Sequence, residues 1–448
     1  MTLQAGAATR DISPGLPLAL YGYPHVKRIS TGIHDPLLAT VVVLQNGRET
    51  AVMASLDLLM VEPPFARAIR EAVAGALGVR EACVLIGCTH THSAPVTSRL
   101  LAWSGDGTIP APDPGYLDFV KSQAVAAALA AAESARPSEL LWSVADASGV
   151  GGNRLRKGGV TDPECGIMAL RNAQTKAVFA VSLIYGMHPT VLHEDSTLVS
   201  SDFPYYARLH LQECLGEAVT VLYHTAPCGN QSPRYYVNGQ SFAEAERLGR
   251  KLGAAAVGAL RGIREDDWCS APRLGAALVP VVLPRRQLQS LPAAHALLKD
   301  YRDRYERLKA ENAPRPEIRT AECAVFGAEG TVGLAEAEAR GEIERILARY
   351  APLEVQVLRV GDVNIVGLPG ECFTDYALTI KQNAGTRTFV VCLVNGELQG
   401  YIVTPEALAA GGYEATNAIF APEAGDVLVK TALAMIERMA GVNVSGID

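Results

Sequence analysis

No two cysteines stand at CxxC spacing, and the nine that occur are scattered singly from Cys83 to Cys392. That odd, unpaired set argues against a disulfide framework and against a zinc knuckle; it points to reduced thiols in a cytosol, so any metal must use other ligands. Long apolar runs are also missing: even Ala51 to Met60 is too short to cross a bilayer. The opening residues, Met1 to Arg10, lack a basic n-region and an apolar h-region, so no secretory signal is expected and a cytoplasmic location is. Basic charge is scarce. A formal net charge of -7 leaves no cationic stripe for a phosphate backbone, which sets nucleic-acid binding aside. There is no GxSxG elbow, so the usual α/β-hydrolase triad has no support, and there are no repeats or low-complexity tracts.

What the chain does have is apolar bulk: 49% of its 448 residues are hydrophobic, enough for one large core or two joined ones. Thr40 to Leu44, Thr50 to Leu59 and Ala82 to Cys88 are β-rich runs. Phe65 to Leu77, apolar at helical spacing, lies between the last two and predicts a β-α-β unit with parallel strands. Val178 to Tyr185, the helix candidate Tyr205 to Leu215, and Val219 to His224 repeat the alternation, followed by an amphipathic helix at Ala243 to Arg261. The expectation is a layered α/β sandwich with a mixed, largely parallel sheet. From about 292 to 350 the composition turns charged and Ala-rich, broken at Pro314 and Pro316, and reads as a helical excursion (a lid or a dimer surface) rather than a catalytic segment. Leu353 to Val366 reads as one alternating strand that delivers Glu371 through the turn Gly367-Leu-Pro-Gly, Thr388 to Val394 as a strand running toward Tyr401, and Asp426 to Met439 as a helix. The whole, 1–448, reads as one catalytic domain with that excursion.

Chemistry concentrates where strands end. Cys88-Thr-His90-Thr-His92-Ser-Ala-Pro95 closes an apolar strand. Histidines at i and i+2 could share one metal, or one could ligate while the other meets substrate; a hydrogen-bonded pair of no chemical consequence has equal weight for an isolated HxH. His188 follows another strand and alone would more often be a satisfied core residue. Glu371 alone would more often be a helix-capping carboxylate. Ala226-Pro-Cys-Gly-Asn-Gln-Ser232-Pro-Arg234 presents one serine on a small-residue turn, as a nucleophile or an anion-holding loop requires, although an ordinary polar turn reads the same way. Several such residues at strand ends change the odds, because α/β sheets gather their sites there. Asp57 and Asp202 read as supporting or capping carboxylates before they read as ligands, and a second metal near Asp57 stays open.

Ala5 to Pro14, Gly32-Ile-His-Asp-Pro-Leu37, Ser55-Leu-Asp57, Thr89-His-Thr-His-Ser-Ala-Pro95, Asn153-Arg154, His188-Pro-Thr190, Ser201-Asp-Phe-Pro204, Gly229-Asn-Gln-Ser-Pro233, Leu368-Pro-Gly-Glu371 and Tyr401 to Glu414 come in this order along nearly the whole chain. In that order they resemble the neutral/alkaline non-lysosomal ceramidases. The resemblance implies the fold of that catalytic domain and one zinc per chain held by His90, His188, Glu371 and Tyr401. It also implies Ser232 acting at an amide carbonyl, Arg154 and Tyr413 holding the reacting oxygen, and His92 as a substrate-contacting neighbour. Whether zinc-activated water or Ser232 attacks is open, with water preferred and Ser232 as its partner. The chain departs from the pattern at Asn230, where the family has an aspartate two residues before the serine, and at Leu398, where a tyrosine is usual. No run of short alternating strands could form the C-terminal immunoglobulin-like domain of the secreted members. The expected substrate is therefore a small-molecule amide, N-acyl or lipid-like, smaller and more cytosolic than a membrane sphingolipid. A metal-independent serine esterase or amidase, pairing Ser232 with His92 or His224, and a non-catalytic ligand-binding scaffold are the alternatives. Oligomeric state is not encoded in the pattern.

Overall fold

The computed structural model describes residues 2–15, 17–103 and 107–441. Its main sheet is built from β1 (Gln4–Asp11), β2 (Leu38–Gln45), β3 (Thr50–Leu56), β4 (Val84–Cys88), β5 (Arg136–Asp146), β6 (Glu164–Asn172), β7 (Val178–Tyr185) and β8 (Thr220–Thr225). Their order across the sheet is β8-β7-β6-β5-β1-β2-β3-β4. α1 (Pro63–Leu77) links β3 to the parallel β4, and α3 (Phe203–Leu215) links β7 to the parallel β8. Both expected β-α-β units are thus present. They are confined to the sheet's edges, and the sheet is mixed: every inner pairing is antiparallel, against the expectation of a largely parallel sheet. The connections decide this. β2–β3 and β6–β7 turn within a few residues, where Asn46 and Asn172 each accept two backbone N–H bonds through Oδ1 (3.1 and 2.9 Å; 2.8 and 3.0 Å), too tight a turn for a parallel crossover.

A second sheet is formed by β9 (Leu274–Val281), β10 (Leu353–Val360), β11 (Val363–Gly367) and β12 (Thr388–Val391), in that order. The run Leu353 to Val366, expected as one strand, is a hairpin: Gly361 adopts φ +73° and turns the chain, so β10 and β11 pair antiparallel. Side chains alternate between layers as the pleat requires. Val41 and Val43 face α1 and α2 (Pro114–Glu133), while Val42 and Leu44 face Leu358, Val360 and Ile365 of the second sheet. α3 and α4 (Phe242–Arg261) cover Ile167, Val181 and Val221. α8 (Thr374–Asn383) and the helix Glu423–Gly441 cover the outer face of the second sheet. The result is four layers, helix–sheet–sheet–helix, with Trp142 Nε1 donating across the inner interface to Val360 O at 2.9 Å. The excursion forms α5 (Leu291–Ala310), α6 (Arg315–Ala339) and α7 (Glu342–Tyr350), with the break at Pro314 where it was expected. Among the described residues no helix is long and apolar enough to cross a membrane, and all nine cysteines are free.

One seam shapes the site. Among the described residues the strand ladder between the two halves of the main sheet is short, Gln4–Ala5 against Arg136–Pro137. Edge strand β8 lies against β3 and β4 of the other half: Ser55 Oγ donates to Tyr223 O, and Thr225 Oγ1 to Thr89 O at 2.7 Å. The C-terminal ends of both parallel edge pairs therefore meet, beside the end of β12, where Cys392 N donates to Thr225 O at 2.9 Å.

Candidate metal centre and its cavity

The HxH pair lies beyond its strand. β4 stops at Cys88, and His90 adopts φ +70°, its N–H bonded to Leu58 O at 2.9 Å, so a turn rather than strand alternation aims His90 and His92 together. Their ring centroids are 5.1 Å apart, and His188 stands 4.5 Å from His90 and 5.7 Å from His92. All three are tethered the same way. His90 Nδ1 donates to Leu59 O (2.8 Å), His92 Nδ1 to Gly22 O (2.9 Å) and His188 Nδ1 to Cys228 O (2.7 Å). A carbonyl can only accept, so each Nδ1 carries a proton and each ring turns its Nε2 inward. His90 Nε2 and His188 Nε2 lie 3.2 and 3.1 Å from the same oxygen, Glu371 Oε2, and His92 Nε2 has no partner. One nitrogen from each imidazole falls within 4.8 Å of the others, and this group could hold a metal ion.

Burial, with repulsion from Arg154 and His90, pushes His188 down to about 3. Burial and the neighbouring His90 and His188 hold His92 well below its ordinary value. Burial alone would raise Glu371, but His90 and His188 outweigh it and hold its carboxyl well below the usual range. The donor set is therefore a buried carboxylate facing imidazole nitrogens at 3.1 and 3.2 Å.

The remaining candidates arrive on paired loops. Glu371-Cys372 and Tyr401-Ile402 form a two-residue parallel ladder in which Glu371 registers against Tyr401. Gly370, at φ +66°, makes that turn, and any Cβ there would meet Leu398 at 2.7 Å. Ser232 pairs with Gly152, and Arg154 N donates to Asn230 O at 2.9 Å, which brings the serine and arginine loops together. Arg154 is buried. Its Nε donates to Glu414 Oε1 at 2.5 Å, its guanidinium carbon stands 5.5 and 6.0 Å from the Tyr401 and Tyr413 rings, and Nη2 is unpartnered. Burial disfavours the Arg154 charge, but Glu414 overrules it and holds the group well above its ordinary value. Burial and the Glu371 charge push both Tyr401 and Tyr413 up. The Ser232 hydroxyl accepts from Arg234 N at 3.3 Å.

Two cavities open on this constellation. The larger, about 170 Å³, is lined by His92, Arg154, Ser232, Tyr401 and Tyr413, and also by Arg315, Pro316, Arg319, Cys323 and Phe326 of α6. The excursion, expected as a lid or a dimer surface, is one of the cavity's walls: Arg234 donates from the serine loop to Thr320 Oγ1 (3.1 Å) and Cys323 Sγ (3.4 Å), and His25 stacks on Phe326 at 3.7 Å. The smaller, about 50 Å³, has His90, Glu371, Leu398, Leu100, Ala102 and Trp103 in its lining, the last three from a loop with no sequence signature. The sequence reading missed Gly22, His25, Arg234 and Phe326. The only signal was the run Tyr21-Gly-Tyr-Pro-His25, in a chain with 6% aromatic residues.

Other candidates have structural duties. Asp57 is clasped by Arg208 (3.0 and 2.7 Å), with Leu38 N and Ser201 Oγ also donating to it, so its charge is neutralised inside the protein. Asp202 caps α3 and accepts from Leu192 N at 2.9 Å. Asn230 donates to Asp375 Oδ2 at 2.8 Å and accepts from Thr374 N at 3.0 Å; an aspartate here would face Asp375 with like charge. His224 is fully buried on β8, with neither ring nitrogen bonded, and lines neither of these cavities.

The class defined so far is a four-layer α/β protein with a buried histidine–carboxylate centre at converging strand ends. Its fold is that of the neutral ceramidases. The structure of neutral ceramidase from Pseudomonas aeruginosa superimposes with a TM-score of 0.75 at 16% identity, covering 100% of this chain and 76% of that one. A ceramidase complexed with C2 gives 0.73 at 17% identity, covering 100% and 77%. No protein-family model matches the sequence, and no curated protein matches it.

Proposed function

We propose that the chain is a zinc-dependent hydrolase that cleaves the carbon–nitrogen bond of an N-acyl amide. One observation carries this reading: three imidazole Nε2 atoms, their rings oriented by backbone carbonyls at Nδ1, converge with a carboxylate in a buried space, two of the nitrogens within 3.2 Å of one carboxylate oxygen, a donor set that suits a single metal ion. The likeness in fold to structures named as ceramidases supports the choice of an amide. His90, His188 and Glu371 would hold the metal, with Tyr401, backbone partner of Glu371, completing the set. A borderline-soft ion that accepts nitrogen and oxygen donors together fits zinc. When bound it supplies the positive charge against which an amide carbonyl is polarised and water is deprotonated near neutral pH.

The chain's own residues do the rest. Arg154, kept charged by Glu414, has Nη2 free for an oxygen that gains negative charge, and Tyr413 lies beside it. Ser232 lines the same cavity and can pass a proton toward the departing nitrogen; water adds to the carbonyl carbon, the C–N bond breaks, and a carboxylic acid and an amine leave. His92, tethered by Gly22 with Nε2 unpartnered, meets substrate at the cavity floor. Nine free thiols suit a reducing, cytoplasmic setting.

The test is metal analysis of the purified protein beside His90→Ala, His92→Ala and Ser232→Ala, with hydrolysis of N-acyl amides. About one zinc per chain is expected, lost in His90→Ala and kept in His92→Ala, with activity abolished by a chelator. Activity that survives the chelator, together with labelling of Ser232 by a fluorophosphonate, would move the assignment to a serine hydrolase.

A further inference from the structure

The larger cavity has four arginines in its lining, Arg154, Arg234, Arg315 and Arg319, and no aspartate or glutamate. Two of the four are neutralised from behind: Arg154 by Glu414 at 2.5 Å, and Arg319 by Glu194 at 3.0 Å and Glu322 at 2.7 Å. The other two are not. Among the described residues the Arg234 guanidinium donates to neutral acceptors, Arg154 O at 3.1 Å, Thr320 Oγ1 at 3.1 Å and Cys323 Sγ at 3.4 Å. Arg315, exposed at the first turn of α6, has no ion pair among the described residues. Arg154 Nη2, on a side chain only 6% exposed, is a further unsatisfied donor in the same lining. His25 is held down to about 4 by burial, so it brings no charge of its own at neutral pH. A cavity wall with two uncompensated guanidiniums, whose planar forks match carboxylate and phosphate oxygens, is arranged for an anion.

We propose that the molecule bound here carries an anionic group, a carboxylate or a phosphate, that docks on Arg234 and Arg315; calling that molecule a substrate rests on the hydrolase reading above. Arg234 is two residues from Ser232, which puts their Cα atoms within roughly 7 Å. Because Arg234 belongs to the serine loop, with its backbone N donating to Ser232 Oγ at 3.3 Å, the ligand class to test first carries its anion near the amide, as in an N-acyl α-amino acid. A neutral amide would leave both guanidiniums facing an unmatched group.

The experiment is calorimetric titration of the zinc-loaded full chain with N-dodecanoylglycine, the neutral N-dodecanoylethanolamine and the O-phosphate of the latter, each also followed for hydrolysis. At least about tenfold tighter binding of an anionic ligand over the neutral one is expected, the size of one well-placed charge contact. Arg315→Gln and Arg234→Gln should each erase most of that advantage, and Arg315→Gln should leave affinity for the ethanolamide unchanged. The exposed Arg315 provides a variant that keeps the fold if Arg234→Gln loosens α6. The glycine conjugate alone favoured means a carboxylate site; both anions favoured means a general oxyanion site. Equal binding of the neutral amide, or a preference that survives both substitutions, overturns the proposal. Anion preference without cleavage of any amide would keep this inference and sink the hydrolase reading, and cleavage without anion preference would do the reverse.

Discussion

The floor and the α6 wall of the cavity contrast in how their side chains are held. On the floor, His90, His92 and His188 each spend Nδ1 on a backbone carbonyl at 2.7 to 2.9 Å, and the carbonyls belong to strand ends and tight turns. On the wall, Arg234, Arg319 and Phe326 are fixed mainly by other side chains, through Thr320, Glu194, Glu322 and the His25 ring. Backbone tethers fix position to fractions of an ångström and tolerate little change, whereas side-chain tethers can be exchanged. The contrast fits chemistry assigned to the floor and selectivity assigned to the wall.

The strongest way to break that contrast lies between the two regions, at Arg154. Arg154→Met should lower kcat about 10²- to 10³-fold with little change in KM, as removal of an oxyanion donor does; steady-state kinetics that moved KM alone would put Arg154 with the wall. Next is a floor tether without a side chain. Gly22 sits at φ +102°, and a Cβ there would stand 2.5 Å from His92 Nδ1. Gly22→Ala should turn the His92 ring and cost about 10- to 100-fold in kcat/KM, the range for a partner that orients a site histidine. Unchanged kinetics would show that the orientation of His92 is irrelevant.

A third test sharpens the comparison by separating burial from function. His224 is buried like the floor histidines but lines neither cavity, and burial alone pushes it down to about 4. A base whose folded pKa is depressed loses stability as pH falls from its unfolded value toward the folded one, because the unfolded chain binds a proton that the native chain refuses. The stability of the wild type relative to His224→Leu should therefore fall between pH 6.5 and about 4, by roughly 3 kcal/mol. Urea unfolding of the metal-free proteins at pH 7 and at pH 4 reads this directly; a constant difference would mean that His224 finds a proton partner.

Legibility in the sequence followed the same division. The floor could be read because its signals are local: a histidine, carboxylate or serine just beyond an apolar run, with small residues for the turn. The β-α-β units and the break at Pro314 were legible for the same reason. Strand direction in the middle of the main sheet was missed: it depends on the turn at Asn46-Gly47, a hairpin signal between two β-rich runs, and on the less distinctive turn at Asn172. The wall was hidden by distance along the chain: Arg234 reaches Thr320 across 86 residues, and nothing near position 25 announces Phe326 as its partner. Asn230, a gap in the family pattern, gained its reason only when Asp375 was found opposite it.

The short ladder between Glu371 and Tyr401 has one more consequence. Beyond it, Phe373 N bonds to Ile402 O at 3.1 Å, and Gly229 N of the serine loop bonds to Cys372 O at 2.9 Å. Carboxylate, phenol and serine thus hang from one strip of peptide rungs, and their spacing is inherited from main-chain geometry. Such a strip opens as a cooperative unit. Drift in any one loop would be felt by all three, so the centre has a single mechanical tolerance, and gradual detuning of one group at a time is not open to it.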